Sequence, residues 1–424
     1  MPGEAELMMD LRHIDWDEKM WRRFFRRVKG KVSLVDQGEM GVLSIQNLGD
    51  RSVFETQVLV KGYLSEYLDK YRPLQVAVQD VGERRVQLPL VPETESDTYL
   101  FYSTRLAMLQ ANPNTADHLL HFFLNLRLYY NEGYVNFLFL EEDMDKMLVR
   151  HNMNYGDMCR KENILNFVRK KLCEGFYIGI HLDEFYMREK DHYGKRHFVH
   201  ESLIYGFDDE SQVFYGYGMT QRQRTAEFMI SYEEFLLAYE KGKLFYFCGA
   251  EYLEREENYP VILFQIPPWE SRDFSEHILV EKLIAFLHPP ENERVEEDIH
   301  VYGKNVYNWI LQDLTGECVR GIVDYRVLHL LYEHKCCIRN RLEILRQRGE
   351  LSEKGQEVYL KIKMIIDDFQ AIRYLYLKQL RKEGKLYSMN KVVESPEIKQ
   401  RIAQQLKLAI TREEGILSEL CRTA

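Results

Sequence analysis

The sequence predicts an α+β protein whose C-terminal third is helical, on three observations. Short runs rich in Tyr, Phe, Ile and Val between residues 128 and 217 are bounded by Gly, Asn and Asp, the pattern of antiparallel strands joined by turns. Val358, Ile362, Ile365, Phe369, Ile372, Tyr376 and Leu380 recur at spacings of three and four, the apolar stripe of one long packed helix. Pro267-Pro268 and Pro289-Pro290 punctuate the passage between these two patterns. With 424 residues and a prior of roughly 150 per domain, two to three domains are expected. A hydrophobic content of 45% with 24 Gly and 11 Pro excludes disordered, collagen-like and small disulfide-stapled classes.

The elements follow in order. Residues 1–95 read as an N-terminal α/β region of uncertain fold. Residues 16–32 form an expected basic amphipathic helix, with Arg22, Arg23, Arg26, Arg27, Lys29 and Lys31 interleaved with Trp21, Phe24, Phe25 and Val28. Strands are expected over 32–45, 74–79 and 85–90, with a helix over 53–71. Residues 96–275 form the expected core. There, 119–126 reads as helical, and 128–140 as two strands around Asn131-Glu132-Gly133. Ile164, Phe167, Val168 and Leu172 make a helix that Gly175 ends. Strands are expected over 176–182, 198–207, 212–217 and 261–266. Ser231 with Glu234 three residues on is a capping box opening a helix. Residues 276–424 form the helical region: an antiparallel pair, 325–347 and 358–380, and a last helix capped by Ser395-Pro396-Glu397.

Charge and cysteine usage bound the function classes. The formal charge of −10 argues against wholesale wrapping of nucleic acid. It conceals a split: residues 336–424 carry 18 Lys+Arg against 12 Asp+Glu, net +6, leaving −16 for the rest. The longest apolar runs fall far short of a membrane span, and no signal-peptide core opens the chain, so a cytoplasmic protein without a membrane span is expected. Seven cysteines without a C-x-x-C pair read as reduced thiols. No cofactor is expected, because the chain lacks a Walker A loop, a zinc-ligand quartet, a G-x-S-x-G elbow and an RNA-binding aromatic motif. Gly216 and Gly218 lack the third glycine of a dinucleotide fingerprint and read as strand or turn glycines.

The chemistry-bearing residues gather between 183 and 208. His200 opens an apolar strand that ends Gly206-Phe207-Asp208-Asp209. This strand resembles the histidine strand of papain-like folds of the C39-peptidase type. Taken together, Asp183-Glu184-Phe185-Tyr186, the run His197 to Asp208 and the later Val323 to Lys335 resemble a family found beside nonribosomal peptide synthetase genes. That family is related to butirosin biosynthesis protein H, an acyltransferase that takes an acyl group from a carrier protein through a cysteine. The resemblance covers about residues 99–380. It implies a papain-like core, an acyl or peptidyl carrier protein or a peptide intermediate as partner, and His200 as general base. It also implies a cysteine before the base, and no cysteine precedes Cys159. Cys159 falls topologically late for a nucleophile, and Ser103 is a weaker stand-in. The strand after His200 offers only Tyr215 and Tyr217 where an orienting acid or amide is expected.

The leading expectation is therefore an accessory protein that binds a carrier-tethered or peptide intermediate near His200 without a working cysteine. Asp183, Glu184, Tyr186, His197 and Tyr205 are its expected lining. An acyltransferase or peptidase using His200 is one alternative, and a structural docking partner of a carrier protein is another. Asp183 and Glu184, adjacent at a strand end, are expected to face opposite ways in a solvated loop mouth, one facing His200 being the alternative. His197 and His200 make a poor metal pair for the same reason. His329, Glu333 and His334 form H-x-x-x-E-H, one residue longer than an inverted zincin motif. Packing and an ion network of Asp324, Arg326 and Glu333 are expected there rather than zinc.

Overall fold

The computed structural model describes residues 4–9, 31–37, 40–46, 78–131, 134–139, 144–153, 163–221, 224–246, 260–270, 272–295, 297–318, 320–385 and 392–422. The expected helix over 53–71 and Cys159 lie outside them, as does the expected helix over 16–32 apart from Lys31 and Val32, which open a strand.

In chain order the strands begin with β1 (Glu4–Met9), β2 (Lys31–Gln37), β3 (Met40–Gln46) and β4 (Arg85–Gln87). Helices α1 (Leu100–Leu109) and α2 (Ala116–Leu119) precede β5 (Leu126–Asn131), β6 (Tyr134–Phe139) and β7 (Val149–Met153). Next come α3 (Ile164–Cys173), β8 (Tyr177–Asp183), β9 (Val199–Asp208), β10 (Val213–Met219), β11 (Thr225–Ser231), α4 (Tyr232–Tyr246) and β12 (Val261–Gln265). The C-terminal part holds α5 (Glu276–Leu287), β13 (Glu293–Val295), β14 (Asp298–Tyr302), α6 (Asn305–Thr315), α7 (Tyr325–Arg348), α8 (Glu353–Lys382) and α9 (Pro396–Cys421). The class is thus α+β, with antiparallel sheets and a helical C-terminal region.

The chain divides into two compact units, each drawn from two stretches. One comprises Met1–Pro92 and Leu148–Ile266, the other Glu93–Met147 and Pro267–Ala424. The stretch read from sequence as a single core, 96–275, is thereby shared between them.

In the first unit a small sheet has the order β1-β3-β2. A seven-stranded antiparallel sheet runs β11-β10-β9-β8-β12-β7, with β4 also paired to β9. Its core follows from strand and helix periodicity: Ile178, Ile180 and Leu182 of β8 and Ile204 and Phe207 of β9 meet Ile164, Leu165, Val168 and Leu172 of α3. Asn163 caps α3 by accepting from Asn166 N, and Gly175, at φ 84°, ends it in the left-handed conformation. Gly206 owes its identity to β4, since a Cβ there would sit 2.5 Å from the Val86 carbonyl. Gly216 lies under the Phe228 ring of β11 in the same manner. The capping box at α4 forms as expected: Ser231 N donates to Glu234 Oε2, and Glu234 N donates to Ser231 Oγ.

In the second unit α7 and α8 form the expected antiparallel pair, with the whole apolar stripe Val358 to Leu380 buried. Ser395 Oγ accepts from Ile398 N, and Ile402 and Leu406 face inward. The helix expected over 119–126 stops at Leu119. A fully buried guanidinium explains it: Arg341 of α7 donates to the carbonyls of Leu119, Leu120 and Phe122, and Phe123 takes φ 64°. Carbonyls that would continue the helix are claimed by a residue more than two hundred positions away.

Candidate functional site

The site of the first unit is built where β8 ends and β9 begins. The strand β8 stops at Asp183, and residues Glu184–Tyr186 turn as a 3-10 helix. That turn cancels the alternation expected from two adjacent strand residues. Both carboxylates are buried, Asp183 completely and Glu184 to 4% exposure, so the solvated loop mouth is corrected. Asp183 Oδ2 meets His197 Nδ1 at 2.6 Å, and its Oδ1 accepts from Phe185 N and Phe198 N. Glu184 Oε2 meets His192 Nδ1 at 2.7 Å, and its Oε1 meets His200 Nδ1 at 3.3 Å. The acid that meets His200 comes from the end of β8, whereas one was expected on the strand after His200.

Tautomers follow from donor arithmetic. Arg196, which can only donate, lies 2.5 Å from His192 Nε2. In the tautomer that this contact calls for, His192 accepts at Nε2 and donates from Nδ1 to Glu184. His200 Nδ1 faces Glu184 Oε1, and its Nε2 has no hydrogen-bond partner among the described residues, on a side chain 28% exposed. Among the described residues no thiol or hydroxyl is hydrogen-bonded to His200. Rings enclose the site: Phe185 stacks on His197 at 4.4 Å between centroids, and Phe198 on His192 at 4.6 Å. Hydrogen bonding from His200 and the charge of Lys190 hold the Glu184 carboxyl below its usual range, although its burial acts the other way.

The remaining expected residues divide. Tyr186 lies at the site, its ring 5.9 Å from that of His197. Tyr205 does not: three positions along β9 from His200 it faces the opposite side of the sheet, buried, with its hydroxyl on Glu227 Oε1 at 2.5 Å. Ser103 belongs to the second unit, fully buried on α1, its hydroxyl donating to Leu100 O. Burial raises the thiols of Cys173, Cys336, Cys337 and Cys421, which sets them against nucleophilic use. Sequence reading missed His192 and Lys190. Both stand in a charged stretch, Arg188 to Arg196, that reads as solvated loop, and only the fold turns them inward.

In the second unit, the H-x-x-x-E-H stretch lies on α7. His329 Nε2 is 2.7 Å from Asp97 Oδ1 and 3.4 Å from Glu333 Oε1, a three-donor group compact enough for a metal ion. Each Glu333 oxygen, however, is already committed twice. Oε1 accepts from Asp97 N and Thr98 N, and Oε2 from the hydroxyls of Ser96 and Thr98. Those bonds tie residues 96–98 to α7, and Glu333 plays that part instead of joining Asp324 and Arg326, which pair with each other at 2.6 Å. Burial raises the Glu333 carboxyl to about 7.

No family model matches the chain, and no curated protein matches it. No helix among the described residues is long and apolar enough to cross a membrane.

Proposed function

We propose that the protein binds a carrier-tethered acyl or peptidyl group, or a free peptide intermediate, at His200, as an accessory protein of peptide natural-product biosynthesis. One observation carries the reading: Glu184 holds the His200 ring through Nδ1 and leaves Nε2 without a partner on a part-exposed side chain, with no thiol or hydroxyl bonded to it among the described residues. Such an imidazole accepts a hydrogen bond from a ligand amide, hydroxyl or thiol, and the stacked rings of Phe185 and Phe198 offer apolar surface beside it. The sequence resemblance to the butirosin protein H type, with its papain-like core, supplies the carrier-protein context.

A second reading is favoured by the same pair. A carboxylate-oriented histidine is the base half of a nucleophilic triad, so His200 could serve an acyltransferase once a nucleophile is supplied. Titration of the full chain with a peptidyl-phosphopantetheinyl carrier protein, against the unloaded carrier, tests the binding reading. Selective binding of the loaded form that weakens at least tenfold in His200→Gln supports it; equal binding of both forms refutes it. Turnover of the acyl group, abolished by the same variant and by thiol alkylation, would favour the enzyme.

A further inference from the structure

The seven-stranded sheet ends on one side in β11, which pairs with β10 alone among the described strands. Opposite residues of an antiparallel pair alternately exchange two hydrogen bonds and none. Tyr232 N donates to the Gln212 carbonyl and Thr220 N to the Arg224 carbonyl, which marks bonded positions at the two ends of the pair. The register between them, from Val213 opposite Ser231 to Met219 opposite Thr225, is unbroken. Ala226, Phe228 and Ile230 therefore bond to β10, whereas Thr225, Glu227, Met229 and Ser231 turn their N–H and C=O groups away from it. Ser231 agrees, since its N–H donates to Glu234 Oε2 at 3.3 Å. No backbone hydrogen bond from any other described residue reaches Thr225, Glu227 or Met229.

An open edge of this length is a template for pairing, and proteins that do not use one blunt it with proline, lysine, a bulge or a very short strand. The seven residues of β11, Thr-Ala-Glu-Phe-Met-Ile-Ser, include none of these devices. Its single charged side chain, Glu227, is bound by the Tyr205 hydroxyl at 2.5 Å, and Met229, 62% exposed, offers apolar surface beside the edge. The opposite edge, β7, is five residues long with Arg150, His151 and Asn152 at its centre. Leu203, Tyr217 and Glu227 form one row across β9, β10 and β11. Arg224 and Thr225 thus mark the sheet end that holds His200, about 10 Å from it across two strand spacings. Exposed Arg224 precedes the strand and exposed Glu233 follows it; neither makes an ion pair among the described residues, Arg188 being paired with Glu234 at 2.9 Å. An antiparallel strand added here brings its carboxyl end to Arg224 and its amino end to Glu233. We propose that β11 binds a short extended peptide as an added antiparallel strand, about 24 Å long, with its carboxyl end toward His200. The inference rests on the reading of the protein as a binder of peptide intermediates, but its test does not involve His200.

The test is calorimetric titration of the full chain with a heptapeptide of alternating valine and threonine bearing free termini. Binding with a dissociation constant of about 1 mM or tighter is expected. Two versions of the peptide, N-methylated on alternate residues, separate strand pairing from apolar contact: methyl groups on the amides that face β11 should weaken binding at least tenfold, and those on the other set less than twofold. Met229→Pro should cause the same tenfold loss, because the Met229 N–H points away from β10 and a proline there breaks no bond within the sheet. The methylated pair needs no variant and decides the matter if that protein does not fold. Absence of binding, equal effects of the two methylated peptides, or full binding by the proline variant overturns the proposal. So does a dimer of the unaltered protein that Met229→Pro dissolves without any peptide binding, which would make a second copy the occupant. Loss of selectivity for the loaded carrier with peptide pairing intact would instead count against the reading of His200 alone.

Discussion

In the sheet unit, Glu184, Lys190 and His200 stand together at a strand end; in the helical unit, Glu413, Lys335 and His334 stand together among helices. The second group is closed. Lys335 Nζ lies 2.5 Å from Glu413 Oε1 and 2.7 Å from both Tyr307 Oη and His334 Nδ1, and Tyr307 donates to Glu413 Oε2 at 2.6 Å. The rings of Phe286, Tyr307 and Phe369 surround the ammonium at 4.9 to 5.4 Å. Every member is buried, and burial drives three of them away from their charged forms: His334 well below its usual value, Lys335 downward, Tyr307 well above. The first group is open on one side, where His200 keeps its unbonded Nε2 part-exposed. The same residue types therefore hold five helices together in one unit and offer an acceptor to solvent in the other. What separates them is access to water: the His334 ring is fully buried, whereas the His200 side chain is 28% exposed.

The largest expected effect breaks the closed network. Lys335→Met leaves Glu413 buried without its cation and should cost about 3–5 kcal/mol in denaturant unfolding followed by helical circular dichroism. Lys335→Met with Glu413→Leu should regain most of that loss. A single variant costing less than ~1 kcal/mol would place the pair in contact with water and erase the contrast.

The second prediction concerns pH and the open site. Burial lowers Lys190 to about 8 from its ordinary 10.5. The unfolded chain therefore binds this proton more tightly than the folded one between those values. Folding stability should rise with pH from about 8 to 10.5, by an amount on the order of 3 kcal/mol, and Lys190→Met should remove that rise. Parallel pH profiles of the two proteins would refute it.

Smaller effects sharpen the comparison. Glu333→Gln turns an amide toward donors from Ser96, Asp97 and Thr98 and should cost about 1–3 kcal/mol, read by hydrogen exchange of α1 and α7. The capping substitutions Ser231→Ala in the sheet unit and Ser395→Ala in the helical unit should each cost about 1 kcal/mol. A cap that costs nothing would show its helix to be held by packing alone.

Local patterns were legible from residues alone. The stripe of α8, the capping box at Ser231, the Ser395-Pro396 start of α9 and the hairpin of β5 and β6 all stand where periodicity and turn chemistry put them. The short strand β7 was not, because it is an edge strand with little buried surface and carries no strong alternation. Nor was β11, an edge strand in which only Phe228 and Ile230 are buried and Met229 faces solvent. Of the site, His200, His197, Asp183, Glu184 and Tyr186 were legible as types in a pattern, whereas their pairing was not.

The sequence by itself determined many of the strands and helices, since periodicity and caps act over a few residues. It also determined that a histidine strand with nearby carboxylates exists. Tertiary structure decided the rest. A 3-10 turn one residue long in its effect placed Glu184 on His200, Arg196 chose the tautomer of His192, and Arg341 ended a helix by taking its carbonyls. Each of these depends on burial and on partners distant in the chain, where removal from water makes an unfilled hydrogen bond costly and so makes one arrangement of the same residues win.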